Sequence, residues 1–331
     1  MYSRAFEDLD GHVWEVLYMD ESKIPEEMKQ KEGKKMGNKI IPHLWFDREA
    51  VEAAEFYKSV FENTKIISKS VIPDTPSGDC DLVEFEINGF RFMGISAGPM
   101  FKKNPSISFF VNFEASPDAE QKLNTAWDKL VETGKELMPL QEYPWSKRYG
   151  WVQDKYGVSW QLILTNPEGE ERPTVIPSVL FTREMDGKAE EAVNFWLSVF
   201  KDSKLGSLMY FGADGPAKEG NVMFSDFKLG DTWLVAMDGG EGHEFQFNEG
   251  ISLIVNCKDQ AEIDYFTEKL SAFPEAEQCG WIKDKYGVSW QILPENMDEL
   301  IAKNPKETIP AMLNMKKISI AELKTAGEVS S

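Results

Sequence analysis

A chain of 331 residues with 42% hydrophobic and 28% charged side chains is long enough for two domains and has the apolar material of ordinary globular cores. Its formal net charge of −20 argues against a nucleic-acid surface, which needs clustered Lys and Arg, and against an anionic membrane. No apolar run reaches the roughly 20 residues of a membrane span, and Cys80, Cys257 and Cys279 are widely spaced with no C-x-x-C pair, which points to reduced thiols and a cytoplasmic protein.

The first residues, MYSRAFED, lack a basic n-region followed by an apolar run, so no secretory signal is expected. FEDLDGHVWEVLYM, residues 6–19, has the D-x-x-G-x-x-W frame of a hairpin, with Glu15 on its second strand. It has no domain in front of it, and residues 1–20 are taken as an orphan closing hairpin. Residues 21–38 are charged, contain Pro and Gly, and read as a linker.

From Lys39 the pattern becomes regular. Residues 40–46 read as a strand with Ile41, His43 and Trp45 on one face. Residues 49–61 carry apolar side chains at helical spacing, with Asp47 as a cap. Strands follow at 65–71, 81–87 and 91–95, the last two joined by Asn88-Gly89, a strong hairpin signal. The pattern then restarts: a strand at 106–113, a helix from a capping box at Asp118-x-x-Gln121, and a closing hairpin.

That hairpin, WVQDKYGVSWQLIL at residues 151–164, is written again as WIKDKYGVSWQILP at residues 281–294. The two stand 130 positions apart, too far for a solenoid repeat and right for a whole domain. Asp and Gly supply the turn, Asp by bonding its own backbone. Val158, Trp160, Leu162 and Leu164 share one face; Ser159, Gln161 and Ile163 share the other. The polar face either meets water or lines a cavity. The second copy runs through a strand at 175–181, a helix at 189–200, strands near 222–229 and 232–237, a strand at 250–256 and a helix capped by Asp259-x-x-Glu262. The expected domains are residues 39–167 and 175–297, with a linker at 168–174 and a helical tail at 298–331.

A β-α-β-β-β module used in pairs and closed by D-x-x-G-x-x-W resembles the vicinal oxygen chelate superfamily of glyoxalase I, bleomycin-resistance proteins and extradiol dioxygenases. IIPHLWFDREAVEAAEFYKSVF, NPSISFFVNF, GWVQDKYGVSWQLIL and AMLNMKKISIAELKTA resemble its PhnB-like branch, also named for a 3-demethylubiquinone-9 3-methyltransferase domain. The resemblance covers residues 39–165 and 175–325. The orphan hairpin resembles the closing hairpin of a glyoxalase-like member. The fold implied is α+β: tandem vicinal-oxygen-chelate domains, each of two βαβββ modules, with cupped sheets.

In metal-dependent members each module gives one ligand from its first strand and one from its last, usually His and Glu. Here the first-strand slot holds His43 and, in the second copy, Ser178; the closing-strand slot holds Gln161 and Gln291; Ser96 and Asp238 end other last strands. One His and one Gln, His43 and Gln161, make a poor site for a divalent cation, which favours carboxylates or several imidazoles. No glycine-rich strand-to-helix loop is present to hold a methyl-donor cofactor. The reading is a protein that binds a small molecule in a cup lined by His43, Trp45, Ser108, Gln161, Ser178, Ser252 and Gln291. The alternative is a metal-dependent lyase, isomerase or dioxygenase of the same superfamily. Tandem linkage favours an intramolecular pseudo-dimer, with a homodimer as the other arrangement.

Overall fold

The computed structural model describes residues 2–7, 13–18, 38–75, 77–114, 116–165, 171–215, 217–240 and 242–328. The chain divides into two compact units, residues 1–37 and 38–331. In the first, β1 (Tyr2–Glu7) and β2 (Val13–Tyr18) pair antiparallel, with Phe6 opposite Trp14 and Tyr2 opposite Tyr18. The turn between them and residues 21–37 of the expected linker lie outside the described residues.

The second unit repeats one module. The first copy is β3 (Ile40–Phe46), α1 (Ala50–Val60), β4 (Thr64–Thr75), β5 (Gly78–Ile87) and β6 (Phe90–Ser96). The second is β7 (Ile107–Glu114), α2 (Ala119–Val131), β8 (Lys135–Tyr143), β9 (Ser146–Gln153) and β10 (Ser159–Thr165). The third is β11 (Val175–Phe181), α3 (Ala189–Val199), β12 (Lys204–Tyr210), β13 (Val222–Leu229) and β14 (Thr232–Asp238). The fourth is shorter: β15 (Ile251–Cys257), α4 (Gln260–Leu270), β16 (Trp281–Lys283) and β17 (Ser289–Pro294). The tail forms α5 (Met297–Lys303), α6 (Pro305–Asn314) and α7 (Ile320–Glu328). Each main helix forms because its apolar residues recur on one face: Ala50, Ala53, Ala54, Tyr57 and Val60 of α1 are all buried.

Local signals act as expected at some ends and not at others. Asn88 and Gly89 both take positive φ, as their two-residue hairpin requires. The Asp259 carboxylate accepts the Glu262 N–H at 2.9 Å and caps α4. Asp118 does not cap α2; its carboxylate takes the Ser116 hydroxyl at 2.7 Å and the Lys122 ammonium at 3.0 Å instead. Asp47 does not cap α1 either. Ser96 Oγ, reaching from β6, accepts the Ala50 N–H at 3.2 Å. For Asp118 its neighbours compete with the helix end, and for α1 a side chain from the sheet does the capping.

The modules are distributed between two sheets in a way that crosses the halves of the chain. The eight-stranded sheet runs β12-β13-β14-β11-β7-β10-β9-β8, joining the second and third modules. The seven-stranded sheet runs β16-β17-β15-β3-β6-β5-β4, joining the fourth and first. The junctions are antiparallel pairs of first strands, β7 with β11 and β3 with β15, in which Ser108 faces Ser178 and Ser252 faces His43. Each half therefore contributes one module to each sheet.

The helix-covered faces share one apolar core. Trp160 is fully buried, with its ring centroid 4.8 Å from Phe61, 5.1 Å from Tyr57 and 5.4 Å from Phe109. The repeated Asp explains the motif. One oxygen of Asp154 closes the turn by accepting the N–H groups of Tyr156 and Val158; the other accepts Trp160 Nε1 and the Tyr57 hydroxyl, both at 2.9 Å. Asp284 does the same with Tyr286, Val288, Trp290 and Trp196. The block is thus a device that fastens a hairpin turn to a core tryptophan and to the helix of another module.

The fourth module lacks the strand equivalent to β8. Nineteen residues separate Val131 from Trp151, but ten separate Leu270 from Trp281; the difference is the nine-residue length of β8. The tail takes that place at the sheet edge. Cys279 and Gly280 donate their N–H groups to the carbonyls of Met315 and Lys316, each at 2.8 Å. Met315, Ile318 and Leu323 are buried in the core cluster. Covering an edge in this way removes a row of unpaired backbone groups.

Candidate functional site

Strand alternation places the predicted polar residues on the faces opposite the helices. In β3, Leu44 and Phe46 join the helix-side core, so His43 and Trp45 point to the concave face of the seven-stranded sheet. Register, with one hydrogen bond, brings five residues into one line across that face: Trp281 opposite Gln291, which bonds Ser252, then His43, then Met93. Gln291 Nε2 donates to Ser252 Oγ at 2.9 Å. The Trp281 ring meets the His43 ring edge-on at 5.6 Å, and Trp45 lies 6.4 Å from Trp281 and 4.9 Å from Phe101. Trp45 Nε1 donates to the Gly98 carbonyl at 2.7 Å, which fixes the indole.

His43 is 4% exposed, and its Nδ1 has no hydrogen-bond partner among the described residues. Burial pushes its pKa down to about 3, so the imidazole is neutral at physiological pH. A buried ring nitrogen without a partner costs free energy on the order of 1–3 kcal/mol.

The equivalent line on the eight-stranded sheet is Trp151, Gln161, Ser108, Ser178 and Val235. Gln161 is held at both ends: Nε2 donates to Ser108 Oγ at 2.8 Å, and Oε1 accepts the Tyr149 hydroxyl at 2.6 Å. Phe110, Tyr149, Ile176, Trp233 and Val235 form a second apolar cluster on this face. Ser178 is fully buried, and its hydroxyl and Trp151 Nε1 have no partner among the described residues.

The seven predicted residues thus divide differently from the reading by halves. His43, Trp45, Ser252 and Gln291 share one face; Ser108, Gln161 and Ser178 share the other. His43 and Gln161, the weak metal pair, lie in different sheets and do not meet, because first strands pair across halves rather than within them. Ser96 and Asp238 point to the helix side. Asp238 accepts the N–H groups of Gly187, Ala189 and Val222 and acts as a remote cap. One strand further on each line meets a carboxylate, Glu84 beyond Met93 and Asp226 beyond Val235, and each is taken by an arginine, Arg91 and Arg172; one line contains a single imidazole. Among the described residues no group of three or more His, Cys, Asp or Glu side chains is placed to hold a metal ion. A hydroxyl already engaged by an amide, a thioether and one imidazole do not suit the divalent ions of the metal-dependent members.

Two residues of the concave face escape a reading that looks for ligand motifs. Glu84, between the core residues Val83 and Phe85, and Arg91, between Phe90 and Phe92, face the same side as Met93 and form an ion pair in which Glu84 is buried and Arg91 partly buried. Their signal in the sequence is a charge placed inside an apolar alternation, which is visible once β5 and β6 are aligned.

The paired βαβββ modules and their two cupped sheets have a counterpart among solved structures. Maize (Zea mays) glyoxalase I is similar over 80% of this chain and 97% of its own, at 11% identity and a TM-score of 0.52, which shows the shared fold. The family described as 3-demethylubiquinone-9 3-methyltransferase matches residues 38–163 and 173–293, and the chain belongs to that family, in two tandem copies. A putative 3-demethylubiquinone-9 3-methyltransferase, PhnB protein, from Bacillus cereus is 38% identical over 39% of this chain and 100% of its own, with a TM-score of 0.35. A Staphylococcus aureus protein is 31% identical over 39% of this chain and 97% of its own, with a TM-score of 0.16. No curated protein matches the chain.

Proposed function

We propose that the protein binds a small molecule on the concave face of its seven-stranded sheet, between Trp45, Trp281 and the line of Gln291, Ser252 and His43. One observation carries this: a neutral imidazole, 4% exposed, whose Nδ1 has no partner among the described residues while its ring meets the Trp281 ring edge-on. A ligand group bonded to that nitrogen would offset its desolvation. Aromatic walls with a few convergent polar atoms are the usual make-up of small-molecule sites. The three unpaired cysteines support placing this activity in a reducing compartment such as the cytoplasm.

The chemistries in the names of the similar proteins are not part of the proposal. Methyl transfer would need a cofactor cradle of the glycine-rich strand-to-helix kind, and the mixed sheets offer none among the described residues. Metal-assisted reactions would need several free donors, and on each concave face the carboxylate is already held by an arginine, Glu84 by Arg91 and Asp226 by Arg172.

The test is a fragment screen read by ¹⁵N NMR on histidine-labelled protein. With only His12, His43 and His243 in the chain, the resonances are assignable by substitution. Binders that shift the His43 resonance and lose at least tenfold in affinity with His43→Phe are expected. Binders that leave His43 unmoved and bind the variant equally well would overturn the reading.

A further inference from the structure

On the His43 face a second buried nitrogen waits without a partner. Met93 stands opposite His43 on one side and Glu84 on the other, and Arg91 follows two residues away on the same face of β6. The Glu84 carboxylate takes Arg91 Nη2, while Arg91 Nε is buried and has no partner among the described residues. We propose that Arg91 is a second ligand-binding residue and that the molecule bound is uncharged, with a hydrogen-bond acceptor at the end that meets Arg91. This rests on the reading that the His43 face is the ligand site.

Charge decides the ligand class. Glu84 already compensates the guanidinium, and the carboxylates of Glu86 and Asp298 act on Glu84 from β5 and from α5. Burial raises the Glu84 pKa, while Arg91 works to lower it. His43 is neutral. Lys65 is taken by Glu86 at 3.2 Å, so no positive charge is left over for an anion, and desolvating one beside the Glu84 carboxylate is costly. What remains is an N–H that needs an acceptor, such as a carbonyl, and an imidazole nitrogen that can meet a hydroxyl or an amide. Strand spacing and rise put the backbones of His43 and Arg91 roughly 8 Å apart, which suits a single planar ring with a polar group at each end.

The eight-stranded sheet does not duplicate the site. Its equivalents of Arg91 and Glu84 are Trp233 and Asp226. There Arg172, from the segment before β11, lays its guanidinium 3.8 Å from the Trp233 ring centroid and bonds Asp226 at 2.7 Å. The chain's own arginine occupies that end, and Tyr149 and Ser108 occupy Gln161. One ligand per chain follows.

The experiment titrates three matched probes into the full chain: para-hydroxyphenylacetamide, para-cresol and para-hydroxyphenylacetate. It reads the His43 ¹⁵N shift, tryptophan fluorescence and stoichiometry. The neutral amide is expected to bind once per chain and at least tenfold tighter than the cresol, which lacks the acceptor, and than the anion. Arg91→Lys keeps a charge for Glu84 and is expected to bring the amide down to the cresol's affinity while leaving the cresol unchanged. An anion that binds as well as the amide, two equivalents bound, or an equal loss of all probes in the variant would overturn the inference. The comparison of probes on the unaltered protein holds even if the variant fails to fold. If no probe moves the His43 resonance, the parent reading fails, and this one with it.

Discussion

Asp154 and Asp284 show how one side chain can organise a repeat. Each accepts four hydrogen bonds with two oxygens while almost fully buried. An asparagine would turn its amide N–H₂ toward donors, so Asp284→Asn is expected to cost about 2–4 kcal/mol in urea unfolding. Burial also pushes the Asp284 carboxyl up to about 6, against hydrogen bonds that pull it down. The folded protein therefore holds this proton more tightly than the unfolded chain. The stabilisation it gives is present in acid and is lost as pH rises from the ordinary carboxylate range through about 6. The difference between wild type and Asp284→Asn should widen as pH falls from 7 to 4, by at most about 1.4 kcal/mol per pH unit. His43 acts in the opposite sense. Its pKa is depressed from 6.5 to about 3 by burial, so stability is lost as pH falls below about 6.5. In a histidine ¹⁵N titration from pH 8 to 4, the His43 imidazole is expected to stay neutral; a His43 resonance that titrates near pH 6.5 would contradict the burial argument.

The closing hairpins are nearly identical in sequence and stand in different surroundings. In the second module, β9 continues into β8, and Tyr149 on β9 holds Gln161. In the fourth, that strand is absent, Cys279 stands where Tyr149 would be, and the tail carbonyls of Met315 and Lys316 complete the edge. Removing residues 305–331 should unpair two backbone N–H groups and expose Met315-, Ile318- and Leu323-packed surface. The expected cost is roughly 5–10 kcal/mol from lost burial. Hydrogen exchange at Cys279 and Gly280 should quicken in the truncated chain, while the β8–β9 amides stay protected; unchanged exchange would show that the tail is not part of the sheet. A glycine explains a further close contact. A Cβ at Gly150 would lie 2.5 Å from the Trp127 ring, so β9 can pass under α2 only without a side chain there.

Because each sheet takes one module from each half, neither half contains a complete sheet. A chain of residues 39–167 alone exposes the edges of β3 and β7, which in the full chain pair with β15 and β11. Those partners are sequence-related copies, so two first halves are expected to pair β3 with β7 reciprocally and run as a dimer in analytical ultracentrifugation. A folded monomer would show that the helix-side core suffices without the cross-half pairs. In the intact chain the linkage makes the same pairing intramolecular and independent of concentration.

The tandem repeat, the βαβββ order, the Asn88-Gly89 hairpin and the faces of the closing strand were legible in the residues, because strand alternation, turn chemistry and helical spacing are local rules. The candidate residues were legible as a set, since each occupies the inward position of a first or last strand. Their grouping was not. Which first strands pair is decided between segments some 70 to 210 residues apart, and β3 with β15 and β7 with β11 carry no local mark. That choice separates His43 from Gln161, sets Ser252 opposite His43, and brings Trp281 of one half onto the histidine of the other. Ser96 and Asp238 are turned away from the lines by alternation within their own modules, where they cap the neighbouring helix starts. Sequence determined the modules and the chemistry each could offer; long-range pairing and burial decided which of those side chains share a face and which are left with an unmet hydrogen bond.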